Sequence, residues 1–316
     1  MQRTFPLPSP LTALTRDPAP IAFGGNSHLG QLRGNDFIVR RTSDWSAITH
    51  VPLGNPAGIG ALSDGSLIAV DATDSMGRAS LVIRVAPGAR RPTLHDGLVP
   101  ENGALRIYPQ PDPDELVCTQ PGSDRLYRLR LVDGRAELLT AARVRSERTR
   151  IMTALADGSI AYASGPRELV RAAFGAIPRR YAVSIEPRIL LPGPFPDLLW
   201  VSGDELQLVS LAEPMRPLAR RLTAPEQHDI AVGGKYLAAL LLDRSASATG
   251  RRWTLVCYDT RLNERWRRPV ATCASERGGE RFPARWVACS AHHVAVGGDG
   301  ELDVFDLRTG ELVHAS

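Results

Sequence analysis

One ten-residue phrase occurs twice and sets the terms for the whole chain. Residues 61–70 read ALSDGSLIAV and residues 154–163 read ALADGSIAYA, 93 positions apart. Each is an apolar strand end, an Asp-Gly turn and a second apolar strand, the signature of a β-hairpin. A separation of 93 is about twice the 40–45 residues of a single four-stranded repeat unit. The chain is therefore expected to build itself from small antiparallel sheets laid down in series.

A second recurring element supports the same period: a strand that ends in a polar turn. ELDVFDLRTGEL (301–312) and TLVCYDTRLNERW (254–266) align with Tyr258-Asp259 over Phe305-Asp306. Looser copies begin at positions 36, 79, 124 and 205, with strand ends at Arg41, Val85, Leu131 and Leu211, followed by Thr260 and Leu307. The steps are 44, 46, 80, 49 and 47 residues, and the long step holds one further unit, assigned to ELVRAAFGAIPRRYAV (168–183). Seven units result. The expected fold is all-β, a seven-bladed β-propeller of four-stranded antiparallel blades occupying 21–316 as one domain behind a Pro-rich segment, 1–20. A single repeat cannot cover its own apolar face, so neighbours stacked in a ring must supply the core.

No helical reading competes. An amphipathic helix needs apolar residues at i, i+3, i+4 and i+7 over eleven or more positions. The apolar runs here are four to seven long and end at Gly, Pro or Asp; LAALLLD (237–243) reads as a buried strand. Glycine and proline number 28 and 25 of 316 residues, a supply that suits many short elements. No run of 18 apolar residues spans a bilayer, and the prolines at 6, 8 and 10 break any export signal, so the chain is read as cytoplasmic.

The turn residues carry a family likeness. Asp306-Leu307-Arg308-Thr309-Gly310-Glu311-Leu312 resembles the D-x-x-T-G motif of quinoprotein-like and WD-repeat propellers. Asp259 through Trp266 looks like a variant of the quinoprotein blade, whose tryptophan docks onto the next blade. The resemblance implies that Asp259 and Asp306 accept hydrogen bonds from their turns, and that Asn263 stands where Gly310 does, at a positive-φ position. The chain is also similar in size and divergence to stand-alone bacterial propellers that accompany MoxR-type AAA+ ATPases and von Willebrand A proteins. Quinone-dependent members carry a Cys-Cys pair and sialidase-type members an S-x-D-x-G-x-x-W box, and this sequence has neither.

Catalytic motifs are missing as well. No G-x-S-x-G, Walker-type loop, H-E-x-x-H or EF-hand occurs. The four cysteines form no CxxC, so no structural zinc is expected and a reducing compartment fits. His292-His293 are neighbours on one strand and must point apart. His228-Asp229 is the one candidate acid–base pair for a central channel. The acids of 110–115 with Asp71 and Asp74 make no fixed cation cage, and the pairs Gly24-Gly25, Gly233-Gly234 and Gly297-Gly298 are read as close strand packing. No cofactor and no metal are expected.

What remains is arginine: the 38 basic residues are 37 Arg and the single Lys235, against 34 acids. RVRSERTR (143–150) places Arg143, Arg145, Arg148 and Arg150 together, Arg251, Arg252 and Trp266 mix cation and ring, and RRY, RRL and RWRR recur. A net charge of only +4 argues against a nucleic-acid partner. The chain is expected to be a non-catalytic scaffold for protein partners, an AAA+ ATPase or von Willebrand A protein among them, with those seven residues as candidate contacts. The alternative is a lactonase- or quinoprotein-like enzyme or small-ligand binder with its site in the channel. The side chains lining the channel discriminate between the two.

Overall fold

The computed structural model describes residues 21–72, 80–97, 105–119, 125–143, 151–195, 197–223, 227–243, 252–270, 286–298 and 301–316. Among them are 28 strands and no helix. They form five four-stranded sheets and one of eight strands, each built from strands consecutive in the chain. Sheet I spans 21–52, the double sheet II 56–143, and sheets III to VI span 152–182, 189–222, 227–270 and 286–315. Within sheet II, 56–97 and 106–143 are two four-stranded halves joined at their outermost strands, Thr93–Gly97 and Arg135–Arg143. That junction is the one parallel pairing among the described strands, Arg135 opposite Asp96 and Ala136 opposite Gly97.

Every four-strand group runs antiparallel from a first strand near the axis to a last strand at the rim. The apolar residues lie between groups, in seven clusters that pass from each group to the next. One joins sheet I to the first half of sheet II through Phe37, Val39, Leu67 and Ile83. Another joins sheets III and IV through Leu169, Leu199, Val201 and Val209. The last joins sheet VI back to sheet I, with Ala295, Leu302 and Val304 against Ile21, Phe23, Leu29 and Trp45. The ring thus closes by side-chain packing, because sheet VI takes all four strands from the C-terminal part and none from sheet I.

The strand ends read from the sequence all fall at the end of a third strand, Arg41, Val85 and Leu131 within it and Leu211, Thr260 and Leu307 one or two residues beyond. The poorly aligned segment 168–183 contributes strands Glu168–Ala172 and Arg179–Ala182, third and fourth in sheet III. LAALLLD lies in the second strand of sheet V, Tyr236–Asp243.

The two Asp-Gly repeats fold alike. Leu62 N–H donates to Ser66 O, and Ser66 N–H and Oγ donate to the Asp64 carboxylate. Leu155, Ser159 and Asp157 repeat this arrangement, and Gly65 and Gly158 take φ of +83° and +81°. The glycine pairs serve close approach between neighbouring sheets: a Cβ on Gly24 would strike the Gly65 carbonyl, and one on Gly233 the Ser290 carbonyl.

Candidate interaction surfaces

Local hydrogen bonds build both turns, and they differ in one respect. Asp306 Oδ1 accepts from the N–H groups of Arg308 and Thr309, and Gly310 has φ +72°. Asp259 Oδ1 likewise accepts from Arg261 and Asn263, and Asn263 Nδ2 donates to Oδ2. These bonds hold both carboxyls below the usual carboxylate range, against an opposing push from burial. Asn263, however, does not occupy the Gly310 position. Asp259 N–H donates to Asn263 O, whereas Asp306 N–H donates to Glu311 O, so the earlier loop is one residue shorter and its positive φ, +63°, falls on Leu262. Leu262 tolerates it because its side chain is anchored in the core between sheets IV and V.

Of the seven candidate contact residues, Trp266 is placed elsewhere. It is buried, its Nε1–H donates to Leu307 O at 2.9 Å, and its ring covers Gly310. It docks sheet V onto sheet VI and presents no surface to a partner. Arg145, Arg148, Arg150 and Arg251 lie outside the described residues. Arg143 ends the strand Arg135–Arg143 and Arg252 begins Arg252–Tyr258. Two arginines of the RWRR group are engaged internally: Arg267 pairs with Glu264 at 3.0 Å and Arg268 donates to Gly310 O.

The acids are engaged in the same way. Asp71 accepts from Gly54 and Asn55 N–H, and buried Glu115 is held by Arg128 and Arg130. Asp74 lies outside the described residues, and among those described no cluster could hold a metal ion. In the channel, first strands such as Pro56–Ala61 and Ile189–Pro192 offer Ala, Gly, Ile, Leu and Pro. Polar exceptions among the described side chains of the first strands include Arg106, Tyr108, Thr153, Asp229 and Cys289. Asp229 lies inside the strand Gln227–Gly233, not before it; its carboxylate accepts from Ile230 and Val287 N–H, tying sheet V to sheet VI. Burial pushes its pKa up to about 7 and holds the Cys289 thiol well above its ordinary value, so the thiol stays protonated and non-nucleophilic. The His228 side chain lies outside the description. His292 and His293 do not point apart as expected: His292 is exposed and precedes the strand His293–Gly298, with its ring edge-on to that of His293 at 6.5 Å, while His293 also packs edge-on against Trp45 at 5.2 Å.

Two features escaped the sequence reading. The first is a network built twice. Arg84, on the third strand of its group, bonds Ser66, Asp64 and, in the adjoining group, Asp114; Arg171 bonds Ser159, Asp157 and Asp197 in the same order. Each arginine clamps its own Asp-Gly turn to the next group. An arginine in the third strand after each repeated phrase was the available signal.

The second lies in RRY and RRL. Neighbours on a strand face opposite sides, so each arginine pair is divided. Arg180 pairs with Glu168, while Arg179 shares a face with Arg171 and Tyr181, turned toward sheet IV. Arg221 reaches into sheet V, where it lies 4.9 Å from the Tyr258 ring and donates to Leu262 O. Arg220 and Leu222 therefore face sheet III. Among the described residues Arg179, Arg216 and Arg220 make no ion pair. The rim strand and the turns nearby leave large apolar side chains in solvent, with exposures of 68% for Phe195, 56% for Met215, 63% for Leu218 and 78% for Leu222.

No protein-family model and no curated protein matches the chain. Solved structures do. Hsv2 from Kluyveromyces marxianus superposes with a TM-score of 0.58 at 10% identity, over 94% of this chain and 98% of that one. Sqt1 from Saccharomyces cerevisiae gives 0.54 at 12%, over 95% and 85%. The β-propeller domain of Cps50 (Swd1) from Myceliophthora thermophila gives 0.56 at 12%, over 84% and 87%. At such identities the likeness is one of fold: this chain has the architecture of a β-propeller.

Proposed function

We propose that the protein is a cytoplasmic, non-catalytic scaffold, a seven-bladed ring in which the halves of the double sheet count as two blades and residues 21–316 act as one unit. The observation that carries this reading is the surface. Large apolar side chains stand in solvent at turn tips beside arginines that make no ion pair, and that mixture is enriched at protein interfaces. A ring of sheets presents such loops at little conformational cost. A bacterial assembly with a MoxR-type AAA+ ATPase or a von Willebrand A protein is the setting we infer from the resemblance in size and divergence.

The test is co-purification of tagged protein from its native cells, with Arg145 and Arg148 reversed to Glu as the comparison. The expected result is a stoichiometric partner that is lost on reversal while the melting temperature stays nearly unchanged. A partner retained after reversal removes the 143–150 segment from the interface. A bound quinone or metal in the purified protein overturns the scaffold reading itself.

A further inference from the structure

We infer that the groove between the outer strands of sheets III and IV is a docking site for a protein segment that carries carboxylates beside an apolar side chain. The inference rests on the scaffold reading and gives it a place and a chemistry. The groove's walls are the rim strands Arg179–Ala182 and Ala219–Leu222. Register fixes which side chains face inward. Arg179 lies opposite Arg171 and Tyr181 opposite Leu169, and Leu169 belongs to the cluster shared with sheet IV. On the other wall Arg220 lies opposite Gln207, on the face away from Leu206 and Leu208, which pack toward sheet V. Ser184, just past the end of sheet III, donates to Gln207 across the gap, so the groove has a bonded floor.

Two guanidiniums thus stand on opposite walls without a carboxylate. Arg171, deeper in, is already neutralised by Asp157 and Asp197, and Arg180 and Arg221 are turned away to partners of their own. Both guanidiniums are exposed and carry no ion pair, and a guanidinium fork suits a carboxylate. Leu222 stands beside Arg220, and Met215 and Leu218 continue the apolar surface onto the adjoining turn. There Glu213, Pro214, Met215 and Arg216 line a shallow pocket. The same turn is fixed to its neighbour, since Leu211 N–H donates to Asp197 O. Carboxylates such as Glu213 and Asp197, interleaved with the arginines, break up the uniform cationic field that an anionic membrane would require, and favour a protein segment.

The test uses labelled ten-residue peptides with two carboxylates flanked by leucines, a matched set with lysines in place of the acids, and vesicles containing phosphatidylserine. The expected result is binding of the acidic set to the full chain, weakened at least about tenfold by Arg179→Glu with Arg220→Glu and by Leu222→Ser. The lysine set should gain on the charge-reversed protein. Far-UV spectra and melting curves confirm that the variants fold. Acidic peptides that fail to bind, or bind the variants equally well, overturn the inference. So does recruitment to vesicles in preference to peptides, or self-association in sedimentation that Leu222→Ser abolishes. A native partner retained by the Arg179/Arg220 variant leaves the scaffold reading standing and removes the groove. If native cells yield no partner, the scaffold reading fails while the peptide measurement still decides the groove.

Discussion

Two junctions in the ring solve the same problem by different means. Where the halves of the double sheet meet, main-chain pairing between Thr93–Gly97 and Arg135–Arg143 supplements the apolar cluster of Leu105, Leu116, Leu129 and Leu131. Where sheet VI meets sheet I no strand is shared, and closure depends on side chains. Trp45 sits at φ +58°, buried, with His293 edge-on and His314 stacked at 5.6 Å. A junction with backbone bonds can survive the loss of one side chain. A junction without them concentrates its stability in a few rings.

That contrast gives the largest expected effect. Trp45→Ala removes the ring that both histidines touch, and should cost about 3–5 kcal/mol by chemical denaturation. At the double sheet, a Cβ on Gly97 would lie 2.7 Å from the Ala136 Cβ and collide with the Ala136 carbonyl, so Gly97→Ala should cost about 1–3 kcal/mol. A larger loss from Gly97→Ala than from Trp45→Ala would reverse the ranking and put strand pairing first.

Next in size is the joint between sheets V and VI. Gly310→Ala meets a positive φ and the Trp266 ring at 2.7 Å together, whereas Asp306→Ala loses two turn hydrogen bonds. We expect about 2–3 kcal/mol for the first and about 1 kcal/mol for the second. Equal melting temperatures for the two would break the docking assignment of Trp266.

Acid sharpens the comparison further. Burial lowers the pKa of His293, with Asp306 opposing and His292 adding to the shift. It also lowers that of His314, where Arg40 adds and Asp303 opposes. The unfolded chain therefore takes up protons first. Closure stability is complete above the ordinary histidine value of 6.5 and falls as pH drops below it. Asp229 runs the other way: its raised pKa makes its contribution complete below pH 3.8 and lost as pH rises through about 7. Melting curves of His314→Phe should lose part of the acid-side slope, and those of Asp229→Asn the opposite slope. Unchanged profiles would remove these groups from the titration. The smallest effect belongs to Arg179→Glu with Arg220→Glu, expected to stay within about 0.5 kcal/mol of the parent because neither guanidinium has a partner to lose.

Much of the architecture was legible because it repeats locally. Asp-Gly turns and third-strand ends are set by residues within a few positions of one another, so one copy identifies the next. The short loop at Asp259 was misread because the positive φ of Leu262 is held from another sheet, a contact no local pattern encodes. The Arg84 and Arg171 clamps and the double sheet also depend on meetings between separate groups. The groove shows the limit most plainly: RRY and RRL could be noted in the sequence, but which arginine of each pair is already bonded follows only from register.

The closure by side chains alone also has a meaning for how the protein is made. Sheet I is complete once its four strands have formed, yet Ile21, Phe23 and Trp45 have nothing to rest against until sheet VI exists. As the chain grows from its N-terminal side, that apolar flank stays open to water, and to wrong partners, through the synthesis of every intervening sheet. Sheet VI is therefore the lid of sheet I, and a ribosome stalled before residue 286 leaves an arc with two sticky ends.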